Sequence, residues 1–262
     1  MSINNPFDSA DATENSCYVS YKPKQRNAHV MAHSGLPLKW TLALHVHEQV
    51  RALILSPAFP CTLGRSAITN NAYRFGFYRD ATSSASIQGL CRDLWWFATE
   101  QPKIFADQFS TFIASFQEPI VKDALDFETI LWNVLQSLNH LDAAHHKWDP
   151  TTSSDPESNL FSFSFAGRSF FLVGLNQHSP RYSRKFDYPT LVFNSHNQFE
   201  LLRAEGKFDT VQETIRKRDI LLQGDINPNL RNYGDASEAK QYSGRFVTED
   251  WKCPFKAKRD DE

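Results

Sequence analysis

The segment Ser56–Ala67, reading SPAFPCTLGRSA, is the stretch around which the rest of the chain must be arranged. A short apolar run, Ala52–Leu55, meets Ser56-Pro57, and both Pro57 and Pro60 lack an amide donor. A strand is expected to stop there and give way to a rigid loop. Cys61 stands on that loop, and Gly64, Arg65, Ser66 and Ala67 read as the opening of a helix. A thiol at a helix start faces free backbone N–H groups, here with the Arg65 cation beside it. Both favour the thiolate. A thiolate so held is a nucleophile or a metal ligand; the competing reading is a small packing residue.

The 262 residues suffice for one large domain, and with 41% hydrophobic and 22% charged residues a sizeable core can form. Phe 21, Tyr 8 and Trp 6 make an aromatic-rich chain, which suits a large flat ligand or a plain aromatic core equally. The formal net charge is −2 and no basic block runs along one helix, so nucleic acid is not an expected partner. No apolar run is long enough to span a membrane. The first residues lack the basic-then-apolar pattern of a secretory signal, and Cys17, Cys61, Cys91 and Cys253 form no CxxC pair. A cytoplasmic protein with free thiols is the expectation.

Residues 1–25 are polar and aperiodic and read as a mobile arm, with 26–262 as one domain. Strands are expected at Trp40–His45, Ala52–Leu55 and Tyr73–Tyr78. Ile104, Phe105, Phe109, Phe112, Ile113 and Phe116 share a helical face up to Pro119, and Phe127–Leu141 forms the clearest amphipathic helix. Trp148–Asn159 is a loop. Phe161–Leu175 reads as a hairpin turning at Gly167. A strand at Thr190–Phe193 leads to a helix at His196–Glu205, stopped by Gly206. Asp209 with Gln212 reads as a capping box opening a basic helix to Leu222. The remainder is irregular, which in a compact domain marks a functional surface. The fold class is α+β, a single domain with helices packed on a mixed or antiparallel sheet.

Candidate chemistry concentrates in the second half. Arg181, Arg184 and Lys185 lie in HSPRYSRKF; His196, Glu200 and Arg203 lie in FNSHNQFELLR; Glu238, Gln241 and Arg245 lie in SEAKQYSGR. Arginines so grouped can hold anionic groups bidentately, and the carboxylates can hold a cation; ordinary surface salt bridges are the competing reading. His196 stands at a strand-to-helix junction, where a capping or packing role competes with a functional one. Cys253, in DWKCPF, is the second functional cysteine candidate. Trp95 and Trp96 read as core anchors, and the pairs His45/His47 and His145/His146 as solvated surface.

SPAFPCTLGRSA, FSFSFAGRSFFLVGL, SPRYSRKF, FNSHNQFELLR, LQGDINPNL, SEAKQYSGR and DWKCPF occur together and in order. In this the chain resembles the YqcI/YcgG family, which includes the haem-dependent guanidine N-hydroxylases of guanitoxin and cycloserine biosynthesis. The resemblance implies haem b, with its iron, and a monooxygenase reaction at a guanidino nitrogen of arginine or a related amino acid. It also implies dioxygen and a separate electron donor, since no flavin or nicotinamide fingerprint is present. A homodimer is a further expectation. Under the resemblance Cys61 is the metal ligand, ahead of Cys253 and His196. Arg65, Arg181, Arg184 and Lys185 bind the cofactor, with the arginine-rich element on the haem propionates. His196 and Glu238 are the catalytic residues. Glu238 and Glu200 pair with the substrate guanidinium, Arg203 or Arg245 takes its carboxylate, and Gln241 completes the substrate set. One departure stands out: Asn176-Gln177 replaces the His-Pro expected before the Ser-x-Arg element. Two other readings remain at this level, a cysteine-dependent hydrolase or transferase using Cys61 and His196, and a non-catalytic haem-binding protein.

Overall fold

A computed structural model describes residues 4–22, 27–30 and 41–258, with the backbone alone at 22 and 27–30. Its centre is a mixed seven-stranded sheet: β1 (Val19–Lys22), β2 (Asn27–Val30), β3 (Tyr73–Asp80), β4 (Thr111–Glu118), β5 (Phe163–Phe165), β6 (Arg168–Leu175) and β7 (Thr190–Ser195), in the order β2-β1-β3-β4-β7-β6-β5. Only β3 and β4 pair in parallel, so the chain crosses over between them through the long helix α4 (Ser84–Ile104); the other pairings are antiparallel. This is the expected α+β arrangement of helices on one sheet. The remaining helices, numbered in chain order, are α1 (Ala10–Asn15), α2 (Thr41–Leu55), α3 (Thr62–Thr69), α5 (Ala124–Asp142), α6 (His196–Ala204), α7 (Phe208–Gln223) and α8 (Ala239–Tyr242).

Both faces of the sheet are covered. Phe112, Phe116, Leu172 and Phe193 pack with α4 and α5, while Phe75, Phe77 and Ile113 pack with Val46, Val50 and Ile54 of α2. Central strands buried on both sides carry no apolar-polar alternation. This explains the main misreading of the sequence: the apolar residues from Ile104 to Phe116 are not one helix. They belong to the end of α4, a connection and the doubly buried β4. Ala52–Leu55 is likewise not a strand but the last turn of α2, although the chain does break at Ser56-Pro57. Of the strand expected at Trp40–His45, Trp40 lies outside the described residues and 41–45 are helical, with His47 buried rather than solvated. Residues 4–22, expected to be a mobile arm, carry α1 and β1 and bury Ala12, Cys17, Tyr18 and Val19. Residues 23–25, also expected in that arm, lie outside the described residues.

The strands Tyr73–Tyr78 and Thr190–Phe193 and the helices Phe127–Leu141 and His196–Glu205 appear where expected. α5 opens on Asp123, whose carboxylate accepts from Leu125 N at 2.9 Å and Asp126 N at 2.8 Å. The β5–β6 hairpin turns through Ala166 (φ 54°) and Gly167 (φ 68°), and the strained alanine is tied by its N–H to Asp142 at 2.9 Å. The capping box is not formed. α7 opens after Lys207 without a side-chain cap, and Asp209 sits inside the first turn.

Candidate active site: a cavity floored by three strands

Pairing of β4, β7 and β6 puts Thr111, Asn194 and Phe171 in one row across the sheet, and Ile113, Val192 and Val173 in the next. These rows share a face. Thr111, Asn194, Phe171, Val192 and Val173, with Leu175, floor a cavity of about 300 Å³. The Phe59–Gly64 loop and α3 close one side, α6 and the 3-10 turn Tyr182–Arg184 two others, and residues 227–241 a fourth. The outer wall is α7, with Phe208, Val211, Gln212, Ile215, Arg216 and Asp219 turned inward at helical spacing. α7 contributes no buried residue to the core.

Cys61 is the N-cap of α3, and Gly64 N–H donates to its Sγ at 3.4 Å. The expected helix-start geometry is therefore present, but its consequence is not. Burial pushes the thiol up, more than the Gly64 and Leu63 N–H groups and the Arg184 charge pull it down. The expected cation, Arg65, instead donates to Ser56 O at 2.5 Å and does not line the cavity. Arg184 takes its place. It donates to the carbonyls of Gln241 at 2.7 Å and Tyr242 at 3.3 Å, and burial pulls it down to about 10. Gly244, at φ 76°, leaves the room: a Cβ there would stand 2.8 Å from Arg184 Cδ.

Arg181 also lines the cavity but pairs with Asp219 at 2.6 Å and with Asp225. Lys185 is exposed, 5.3 Å from the Tyr182 ring centre, and does not line it.

Two further walls bring His196 and Glu238 in. His196, at the start of α6, is buried with its Nε2 3.2 Å from Glu200 and its ring 4.5 Å from Tyr233; burial pulls its pKa down. Arg203 also lines the cavity and pairs with Glu200, which itself lies outside, half exposed. Glu238 accepts from Tyr242 Oη at 2.5 Å, and burial pushes its carboxyl up to about 8. Gln241 lines the cavity beside it. Arg245 does not: it binds buried Glu128 at 2.7 Å, together with Ser243 and Trp251. Cys253 also lies elsewhere, packed beside the core, with burial pushing its thiol to about 12. Sequence reasoning missed Arg216, Asp219, Arg231 and Tyr233. The inward stripe Phe208, Val211, Ile215 was the available signal for the first two, whereas the irregular tail gave none.

The Glu238 carboxyl sets a pH dependence. Its folded-state pKa lies above the ordinary carboxyl value, so its contribution is unfavourable from about pH 4 upward and full above about pH 8. Glu238→Gln, which keeps the Tyr242 acceptor, is expected to flatten the fall in thermal midpoint between pH 5 and pH 8. Parallel wild-type and variant curves would show that the carboxyl is ionised in the folded protein.

Residues 50–256 match the model of the YqcI/YcgG family. The chain belongs to the YqcI/YcgG family. Comparison with curated proteins and with solved structures gives no match. Every cavity residue falls inside the YqcI/YcgG match. Asn176 and Gln177, where the chain departs from the expected His-Pro, line no part of the cavity: Asn176 Oδ1 accepts from His178 N at 2.9 Å and Gln177 donates to Val121 O at 2.9 Å. Among the described residues no three His, Cys, Asp or Glu side chains gather as a metal-ion site, and no helix is long and apolar enough to cross a membrane.

Proposed function

We propose that this YqcI/YcgG protein is a haem-dependent monooxygenase that hydroxylates a guanidino nitrogen of arginine or a related amino acid, drawing on dioxygen and a separate electron donor. The observation that carries the reading is the gathering, in one cavity, of a helix-capping cysteine, arginines and a buried carboxyl. The residues fit the cofactor. Phe59, Leu63, Phe171, Val173 and Phe199 offer apolar walls, Cys61 offers one sulfur, and the buried Nε atoms of Arg181 and Arg216 have no acceptor. The cavity is at the small end of ligand sites, and its outer wall α7 is held by polar contacts, Asp219 to Arg181 and Arg218 to the carbonyls of Pro57 and Phe59, and by no buried core residue.

Bound there, haem supplies dioxygen activation, which thiolate ligation favours. Cys61 would hold the iron; burial leaves a proton on the free Sγ despite the Gly64 and Leu63 N–H groups and Arg184, and coordination to the metal would displace it. Glu238 takes the guanidinium: a cation beside the carboxyl favours its ionised form, so its proton leaves as the substrate enters. Tyr242 Oη holds Glu238 Oε1 in place. His196 is kept neutral by burial, and Glu200 orients its Nε2. A cysteine hydrolase or transferase using Cys61 and His196 is disfavoured by the raised thiol pKa.

The test is an absorption spectrum of protein expressed with a haem precursor. A Soret band is expected in the wild type and its loss in Cys61→Ala and Cys61→Ser, with the long-wavelength ferrous–CO band of thiolate ligation. A band retained in both variants removes Cys61 as ligand. No band in the wild type overturns the haem reading.

A further inference from the structure

Arg181, Arg184, Arg203, Arg216 and Arg231 all line the cavity. Arg181 is neutralised by Asp219 and Asp225, Arg203 by Glu200, and Arg231 approaches Glu249 at 3.5 Å. Arg184 donates to two main-chain carbonyls, and among the described residues no carboxylate forms an ion pair with it. Arg216 likewise has no paired carboxylate among the described residues; it donates to Asn232 Oδ1 at 3.0 Å, but its Nε is shut from water with no acceptor. Gln212 donates to the same Oδ1 at 2.9 Å. Two donors on one oxygen hold the exposed Asn232 side chain against the Arg216 guanidinium. The carboxyls that line the cavity do not answer this charge: Asp219 is held by Arg181, and Glu238 keeps its proton at neutral pH. A partly buried guanidinium without a counter-charge is costly and is settled by an anion.

We propose that Arg216, steadied by Asn232, is the subsite for an ionised carboxylate of the bound ligand. The site rests on the proposed haem and guanidine reading for the ligand's identity alone. Arg203 and Arg245, expected from sequence to take a substrate carboxylate, are committed to Glu200 and Glu128. Two sources share the chemistry, the carboxylate of an amino-acid substrate and a propionate of the porphyrin. Arg216 lies on α7 and Asn232 on the 227–241 wall, so the subsite ties the ligand to the outer walls and not to the sheet.

The experiment titrates wild type, Arg216→Met and Arg216→Lys calorimetrically with two pairs of probes. L-arginine is set against agmatine, which lacks the carboxylate, and hemin against hemin dimethyl ester. The wild type is expected to prefer the acid member of at least one pair, and Arg216→Met to lower that preference on the order of tenfold or more. Arg216→Lys keeps the charge without the planar fork and is expected to retain part of it. An effect on the arginine pair assigns the substrate, and an effect on the hemin pair assigns the cofactor. Unchanged preferences in Arg216→Met, or no preference in the wild type, overturn the subsite. A wild type that binds no hemin yet discriminates arginine from agmatine through Arg216 overturns the haem reading and leaves the subsite standing. Arg216 is not part of the core, and matching circular dichroism of the three proteins checks their folding.

Discussion

Gly174→Ala is expected to lower stability by about 1–3 kcal/mol and to weaken ligand binding in the same step. Gly174 sits in β6 between Val173 and Leu175, which face the cavity. A Cβ there would stand 2.6 Å from Phe127 Cε1 and 2.9 Å from Tyr242 O. The ring belongs to the packed α5 face and the carbonyl to α8, so neither contact is a flexible side-chain end that can swing away. Displacing the Tyr242 carbonyl moves an acceptor of Arg184, and it moves the residue whose hydroxyl holds Glu238. Trp132 stacks on the Tyr242 ring at 5.7 Å, which limits relaxation on that side. Urea unfolding reads the first effect and calorimetric titration with the probes above reads the second. An alanine variant with the wild-type midpoint and affinity would show that α8 can shift freely.

Removing residues 1–22 is expected to cost more, although the family match begins at residue 50. Asp93 is fully buried in α4 and accepts from Ser16 Oγ at 2.5 Å, Cys17 N at 2.7 Å and Tyr78 Oη at 2.9 Å. Even so partnered, burial pushes its carboxyl up to about 7. The truncated chain loses two of those donors. It also loses the burial of Cys17, Tyr18 and Val19 and uncovers Gly89, where a Cβ would lie 2.3 Å from Asn15 O. Three such side chains contribute on the order of 5 kcal/mol, against a total stability of about 5–15 kcal/mol for a typical domain. The expected result is a chain that aggregates on size exclusion and loses its near-ultraviolet dichroism. Cooperative unfolding at the wild-type midpoint would mean that the segment is dispensable.

Local signals were readable where turn residues, helical spacing and strand ends punctuate the chain. The hairpin Phe161–Leu175, the capped helix from Ala124 and the strand-to-helix junction before His196 follow from turn chemistry, helical spacing and strand punctuation. The interior was harder. Ala52–Leu55 is four apolar residues, too few to tell a helix end from a strand, and Phe112–Phe116 mimics helical spacing because β4 is buried on both faces. Seven of the expected site residues meet in the cavity: Cys61, Arg181, Arg184, His196, Arg203, Glu238 and Gln241. Arg65, Lys185, Glu200 and Arg245 do not line it, because nearby acceptors or solvent take their charges. The direction of the Cys61 pKa was beyond sequence, since it depends on how much of the loop is desolvated.

α7 lies between Gly206 and Gly224, both at positive φ, and none of its residues is buried. Phe208, Val211 and Ile215 are half-buried, so exchanging them for larger or smaller side chains costs less folding free energy than the same change in the core. In this architecture, changes to the cavity's outer wall are only weakly coupled to thermal robustness, so one helix can vary in sequence while the scaffold stays intact.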